Sequence, residues 1–418
     1  MRHLRLALAT FAAALTVARA QDEEKNRPPP VEIPDFSNLD DFIYTPRSTL
    51  RLGFRAITGA KVGFFGTGKL TSSLVSPGPV TGGNLTRVYH DGAVNADSRT
   101  VTRVDADGNP IINPTTGAAF TDPIAPDGRT NSWNYISSLQ GGVDGAVAFH
   151  TYAADIIDPT VRSAPTARNF GMELTVDRDM GKIGRTRASW SLVAGMSIND
   201  LAGKADAGVL ARLTTLTDLY SLNGRVLPGA PFSSPSTSSV PVTDSNGNAV
   251  TNDDGSAQTA SVDVTLLLPN QPDSRGTKTA NDASSVHSLW KLRGAYYTFR
   301  AGPTLLVPIS ARFRATVSAG AALVYSGSTY TVTQTYTPET GAQLADTSFS
   351  TVSKLLPGYF ADATLQFDIT ERTGLYAGAI LQGAGSYTQG VNSDAAHYNT
   401  RVDFTGQRGL RAGMTYRF

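Results

Sequence analysis

Residues 313–325 read FRATVSAGAALVY, and their order decides the fold. Phe313, Ala315, Val317, Ala319, Ala321, Leu323 and Tyr325 share one parity, while Arg314, Thr316 and Ser318, with Arg312 just before, share the other. Successive side chains of a strand point to opposite faces, so the run is a strand with one apolar and one polar side. It is also long. Strands of globular sheets usually hold about 5 to 6 residues, whereas a tilted strand crossing a bilayer needs ~9 to 11.

Working outward, the pattern recurs along the chain. Leu50 to Phe65 places Leu50, Leu52, Phe54, Ala56, Ala60, Val62 and Phe64 opposite Arg51, Arg55 and Lys61. Similar runs cover Trp133 to Thr151, Phe170 to Met180 and Thr186 to Ile198, then Tyr359 to Ile369, Leu375 to Tyr387 and Val402 to Phe418. Val209 to Leu222 and His287 to Ala301 alternate less cleanly. Polar stretches rich in Gly, Pro, Ser, Thr, Asn and Asp fill about 66–132 and 223–285, where loops with small hairpins are expected. The turns at Gly302 to Ser310 and Ile369 to Thr373 are short.

A soluble sandwich also alternates, so alternation alone does not choose between water and lipid. Run length and the asymmetry between long loops and short turns favour a transmembrane antiparallel up-and-down β-barrel with long extracellular loops. About ten strands are expected, with eight and twelve as the neighbouring counts. On the ten-strand reading the outward aromatics sort into two levels, as interfacial girdles require. Phe64, Trp133, Tyr135, Trp190, Trp290, Tyr325, Tyr359, Tyr387 and Phe404 fall toward the external ends. Phe149, Phe170, Phe313, Phe367, Tyr416 and Phe418 fall toward the periplasmic ends.

The chain begins with Arg2 and Arg5, an apolar run from Leu6 to Val17, and Ala18 and Ala20 before Gln21. This is the pattern of a signal peptide over 1–20, cleaved after Ala20. Residues 21–47 carry Pro28, Pro29, Pro30, Pro34 and Pro46 and read as an extended periplasmic lead-in to a barrel over 48–418. Cleavage takes away Arg2, Arg5 and Arg19 and no acid, so 36 basic against 35 acidic residues becomes 33 against 35, a formal charge of −2. That balance argues against a nucleic-acid partner. No cysteine is present, which excludes a disulfide scaffold and a lipidated cysteine anchor.

The closing residues Met414-Thr415-Tyr416-Arg417-Phe418 resemble the last strand of bacterial outer-membrane β-barrel proteins. In that superfamily a terminal Phe, with apolar residues at every second position before it, is the signal read by the barrel assembly machinery. The resemblance implies that Met414, Tyr416 and Phe418 play this part here. It also implies a location in the outer membrane of a Gram-negative-type bacterium, with outer-membrane lipid as surroundings. It implies no subfamily.

Inward-parity charges are the first candidates for function: Arg51, Arg55, Lys61, Glu173, Asp177, Asp179, Arg312, Arg314, Asp362, Asp368, Arg401 and Arg411, with Arg417 at the end. A barrel of about ten strands has a lumen narrow enough for side chains to fill, and buried charges must be paired. An internal salt-bridge network therefore ranks first, with a structural or surface-interaction role through the long loops and an extracellular ligand as their partner. A passive, porin-like channel for small solutes ranks second. A surface hydrolase is a distant third, since only His287 with Asp282 and His397 with Asp394 offer Asp-His pairs in the sequence, and no enzyme is expected. Asp105 to Asn109 and Asp244 to Asn248 resemble the opening of a calcium loop, but the twelfth positions are Thr116 and Gly255 rather than Glu. Turns are the better reading, with no metal and no cofactor.

Overall fold

A computed structural model of the chain describes residues 47–418 apart from 143–144, 165–167, 236, 243–249, 253–255, 257, 264 and 394–395. The signal peptide with Ala18 and Ala20, the lead-in up to residue 46, and Asp244 to Asn248 lie outside the described residues. Thirteen strand segments among the described residues build the wall, twelve longer ones and the two-residue Arg162–Ser163 that pairs with residues 63–64. The twelve longer ones are β1 (Ser48–Thr58), β2 (Lys61–Leu70), β3 (Ala146–Ile156), β4 (Asn169–Lys182), β5 (Ser189–Ser221), β6 (Ser274–Pro308), β7 (Phe313–Tyr336), β8 (Leu344–Asp368), β9 (Thr373–Ala384), β10 (Ser386–Ser393), β11 (Ala396–Asp403) and β12 (Gln407–Arg417).

The lower tier is a closed antiparallel ring in the order β1, β4, β5, β6, β7, β8, β9, β12 and back to β1. It has eight strands, fewer than the expected ten. The difference has a plain cause. The runs at 186–198 and 209–222 are two parts of one strand, β5, and β3 leads down into β4 on a single pass of the wall. In the upper tier β2, β3, β10 and β11 replace β1, β4, β9 and β12: β5 pairs with β3, β3 with β2, β2 with β11 and β11 with β10. Residues 274–285, expected as loop, are the first part of β6.

Closure joins the two ends of the wall at the lower rim, where Ser48 and Phe418 exchange backbone hydrogen bonds. The lower connections, at 183–188, 309–312 and 369–372, are short. The upper connections include 71–145 and 222–273. Part of these folds into a cap whose four short strands, Arg87–Tyr89, Gly92–Val94, Trp133–Tyr135 and Phe232–Ser233, form one small sheet. The cap encloses its own core of Trp133, Tyr135, Phe149, Tyr220 and Leu268 against the outer faces of upper β3 and β5.

The lower tier is apolar outside and polar inside. Leu52, Phe54, Met196, Val317, Leu365, Leu410 and Met414 stand exposed on its outer face, while Arg55, Glu173, Arg300, Asp362 and Arg411 are buried within. The upper tier is reversed, with a core of Phe64, Trp290, Leu292, Tyr330, Val332 and Tyr398 inside and Lys61, Lys204, Arg293, Thr329 and Thr333 facing outward or lying exposed. Consequently Phe64, Trp133, Tyr135, Phe149, Trp290, Tyr387 and Phe404, expected in outer girdles, are buried. Trp190 and Phe170 also change level. Trp190 lies at the lower rim opposite Leu305, and Phe170 pairs with Ala56 high in the lower tier. Most outward aromatics that remain fall into a lower set (Trp190, Phe313, Phe367, Tyr416, Phe418) and an upper set (Phe170, Tyr297, Tyr325, Tyr359), while Phe54 and Phe299 stand on the belt itself and Phe349 in the upper tier. Twelve residues of tilted strand between Phe313 and Tyr325 separate the sets by about 30 Å, close to the ~25 Å apolar band of membrane barrels.

The reversal is produced in two ways. In β7 the register runs unbroken against β8 from Phe313 to Tyr336, and the outward residues simply change from Val317, Ala319, Ala321, Leu323 and Tyr325 to Thr329, Thr331, Thr333 and Thr335. Between β1 and β2 the parity slips instead, so that Ile57 is buried, and Val62 and Phe64 of the opposite parity are buried above it. Gly59 makes this possible. Its φ is +102°, and a Cβ there would lie 2.2 Å from the carbonyl oxygen of Gly406, the matching slip between β11 and β12.

Candidate functional site in the lumen and mouth

The lumen charges form stacked layers. At the floor, Arg314 forms an ion pair with Asp368 at 2.8 Å, and Arg417 and Gln366 donate to the same carboxylate. Arg51 then meets Asp177 at 3.0 Å. In the centre, Glu173 accepts from Arg411 at 2.6 Å, Arg300 at 3.2 Å and the Tyr376 hydroxyl at 2.8 Å. Asp362 bridges the same two guanidinium groups at 2.9 and 3.4 Å. Two carboxylates and two arginines from β4, β8, β6 and β12 thus close a four-membered charge ring, with Arg300 over the Phe360 ring and Arg411 over the Tyr376 ring.

Arg55 sits above this ring and is held by neutral acceptors, Ser197 Oγ and Gln382 Oε1. Gln382 donates to Gln407, which donates to the Tyr296 hydroxyl at 2.9 Å. From there the filling is aromatic. Tyr296 packs on Phe404 at 4.9 Å between ring centroids, and Phe64 stacks with Tyr330 at 5.9 Å and Trp290 at 6.3 Å. At the mouth Tyr152 crosses Tyr336, and its hydroxyl meets Thr340 of the 337–343 turn at 3.1 Å.

Of the charges expected inside, the structure brings together Arg51, Arg55, Glu173, Asp177, Arg314, Asp362, Asp368 and Arg411, joined by Arg417. Lys61, Asp179, Arg312 and Arg401 lie elsewhere and are exposed. Lys61 and Arg401 belong to the upper tier, where the parity slip turns them outward, and Asp179 and Arg312 sit at the lower rim. Arg300 was missed because β6 alternates weakly by sequence; its shared parity with Thr298 and Thr304 was the available signal. Met414, Tyr416 and Phe418 face outward on β12 and beside its end, where Tyr416 and Phe418 stack at 6.5 Å.

Of the Asp-His candidates of the sequence, only His287 with Asp282 lies wholly among the described residues, and that pair does not form. Asp282 instead accepts from the backbone N–H groups of Ser284 and Ser285, which hold its carboxyl down to about 2, and Asp394 lies outside the described residues. A different pair forms, 59 residues apart in the chain, with His150 Nδ1 and Asp91 Oδ2 at 2.5 Å. The buried Asp91 carboxylate also accepts from the His150 backbone N–H, and His90 Nδ1 accepts from Tyr152 N–H at 3.0 Å. These bonds fasten the 87–94 hairpin to the free edge of β3. Burial pushes the His90 imidazole below its usual range, which suits its role as an acceptor. Asp105 makes an Asx turn to the N–H groups of Asp107 and Asn109, and among the described residues no group of three or more metal-ligating side chains occurs.

No protein-family profile matches this sequence, and no curated protein does. Among solved structures, the chain is similar to the outer membrane protease OmpT from Escherichia coli, at 9% identity over 89% of this chain and 96% of that one, with a TM-score of 0.28. It is also similar to a Pseudomonas aeruginosa FadL homologue (9% identity, 89% and 90% covered, TM-score 0.16) and to the P. putida toluene transporter TodX (7%, 90% and 91%, 0.17). These are bacterial outer-membrane β-barrels, and their low scores carry no function over to this chain.

Proposed function

We propose that this protein is an outer-membrane β-barrel whose lumen is plugged by its own side chains and whose folded cap is its working surface, in a structural or surface-interaction role without enzymatic activity. The observation that carries this reading is the filling itself, which runs from the Asp368 ion pairs at the floor through the Glu173–Asp362–Arg300–Arg411 ring to the aromatic column and the Tyr152–Thr340 contact at the mouth. An eight-stranded barrel has an interior only wide enough for such side chains. The exposed apolar belt of the lower tier supports a place in lipid. In the cap, the hairpin built on Thr100–Thr102 and Thr121–Pro123 exposes Val101, Val104, Ile112 and Phe120, a surface suited to a partner.

In planar bilayers the purified protein is expected to give no resolvable single-channel steps. Stable conductance by the wild type would replace the plugged reading with a solute channel. The cap is expected outside the cell. Asp107→Cys, on an exposed turn of a chain without cysteine, should react with a membrane-impermeant maleimide on intact cells. Labelling only after the outer membrane is opened would invert the orientation.

A further inference from the structure

On the side of the barrel where the parity slips, the apolar belt ends at one level and the outward residues directly above it are basic. The last row of the lower tier there is Thr58, Arg408 and Leu381. The rows above are Lys61, Asp403 and Ser386, then Gly63, Arg401 and Thr388. Lys61, Arg401 and Arg408 are all exposed. Lys61, Arg401 and Asp403 line a groove of about 520 Å³ on the outer wall, with Phe65 and Val161 as apolar sides and Gly63, which has no side chain, as part of its floor.

The charges inside this groove are not consumed by the fold. Arg401 spends one N–H on Ser386 Oγ at 3.2 Å. Asp403, the one carboxylate among the groove's lining residues, accepts the backbone N–H of Thr405 at 2.8 Å. Lys61 and Arg401 against Asp403 leave one positive charge in the groove, and Arg408 in the row below adds a second, at the height where headgroups meet the acyl chains of a surrounding leaflet. Below them Phe54, Leu381 and Leu410 continue the apolar surface downward. A dianionic phosphomonoester with acyl chains beneath it matches both halves of this surface.

We propose that this groove binds the phosphate headgroup of an outer-leaflet lipid, with Lys61 and Arg401 as its ligands, Arg408 beneath them, and the lipid chains lying on the Phe54–Leu410 face. The proposal rests on the membrane reading given above. The register slip is then more than a way to turn the apolar face inward, since it sets two cations facing outward at the edge of the belt.

The test uses the folded full chain in zwitterionic detergent, titrated with dioleoyl phosphatidic acid or dioleoyl phosphatidylcholine, with retained lipid read by native mass spectrometry. The wild type should retain phosphatidic acid roughly tenfold or more in preference to phosphatidylcholine, as expected for two interfacial cations, and the preference should weaken with added salt. Lys61→Gln/Arg401→Gln should abolish the preference, and Arg408→Gln should reduce it. Lys278→Gln, on exposed β6 well above the belt, should leave it intact. Since all four side chains are exposed on the outside of the wall, retention of heat-modifiable folding checks that the barrel is unchanged. Equal retention of both lipids by the wild type, or full preference in the double variant, would overturn the proposal. Displacement of the lipid by equimolar inorganic phosphate would also overturn it, by showing a bare anion site. Folding of the wild type without any amphiphile would instead overturn the membrane reading beneath it.

Discussion

Ala319→Arg should lower folding stability in lipid vesicles by about 2 to 4 kcal/mol, whereas Tyr325→Arg should cost only about 0 to 1 kcal/mol. Ala319 faces outward midway along β7 between Phe313 and Tyr325 and pairs with Ala361 of β8, so an arginine there sits at the centre of the apolar belt. Tyr325 lies in the upper aromatic set, where a guanidinium reaches water by snorkelling. The inward neighbour Ser318 donates no such profile, since its hydroxyl accepts from Thr304 at 2.9 Å and an arginine there meets the lumen rather than lipid. Urea titrations of vesicle-reconstituted variants measure the difference. Equal costs for Ala319→Arg and Tyr325→Arg would remove the depth argument, and a monodisperse, β-rich, fully soluble wild type would remove the membrane altogether.

Glu173→Ala should destabilise the barrel by about 3 to 5 kcal/mol, because it strands Arg300 and Arg411 with a single carboxylate between them in a buried site. All four groups of the ring are at most 5% exposed, so solvent offers little relief. Glu173→Gln keeps the shape and an acceptor for Tyr376 and should cost less. The double variant Glu173→Ala/Arg411→Met should recover part of the loss, which makes the coupling measurable as a double-mutant cycle. A Glu173→Ala protein within 1 kcal/mol of the wild type would mean that the ring contributes nothing to stability. That outcome would leave the lumen's polar filling without a structural purpose and revive the channel reading.

Much of the lower tier was legible from the residues alone. Period-two runs with long apolar faces are local patterns, and in β7 from Phe313 to Tyr325 each residue faces the side its parity assigns. Apart from Arg300, and from Asp179 and Arg312 which are exposed at the lower rim, the charges of that tier were legible for the same reason, Arg51, Arg55, Glu173, Asp177, Asp362 and Arg411 among them. Their partners were not. Glu173 meets Arg411 across 238 residues of sequence, and only closure of the ring sets which arginine stands at its height. The Asp91–His150 pair had no sequence signal, because a loop hairpin and a strand edge meet there through backbone and side-chain bonds that no periodicity records.

The upper tier shows where reading by parity stops. Lys61 shares parity with the inward Arg51 and Arg55 of β1, and Arg401 with the inward Arg411 of β12, yet Lys61 and Arg401 face outward, because one extra residue at Gly59 and its counterpart at Gly406 inverts every position beyond. A slip of this kind leaves the composition and alternation of each segment unchanged, and it is visible only as a change of neighbours. The same applies to Phe64, Trp290 and Phe404, whose apolar rings suit a lipid face and a protein core equally well. Alternation, run length and the polarity of each face are properties of a single strand, and the sequence by itself determined them. Strand number, the heights of the two tiers and the meaning of inside and outside depend on which strands are hydrogen-bonded to which, and only the closed tertiary ring decided them.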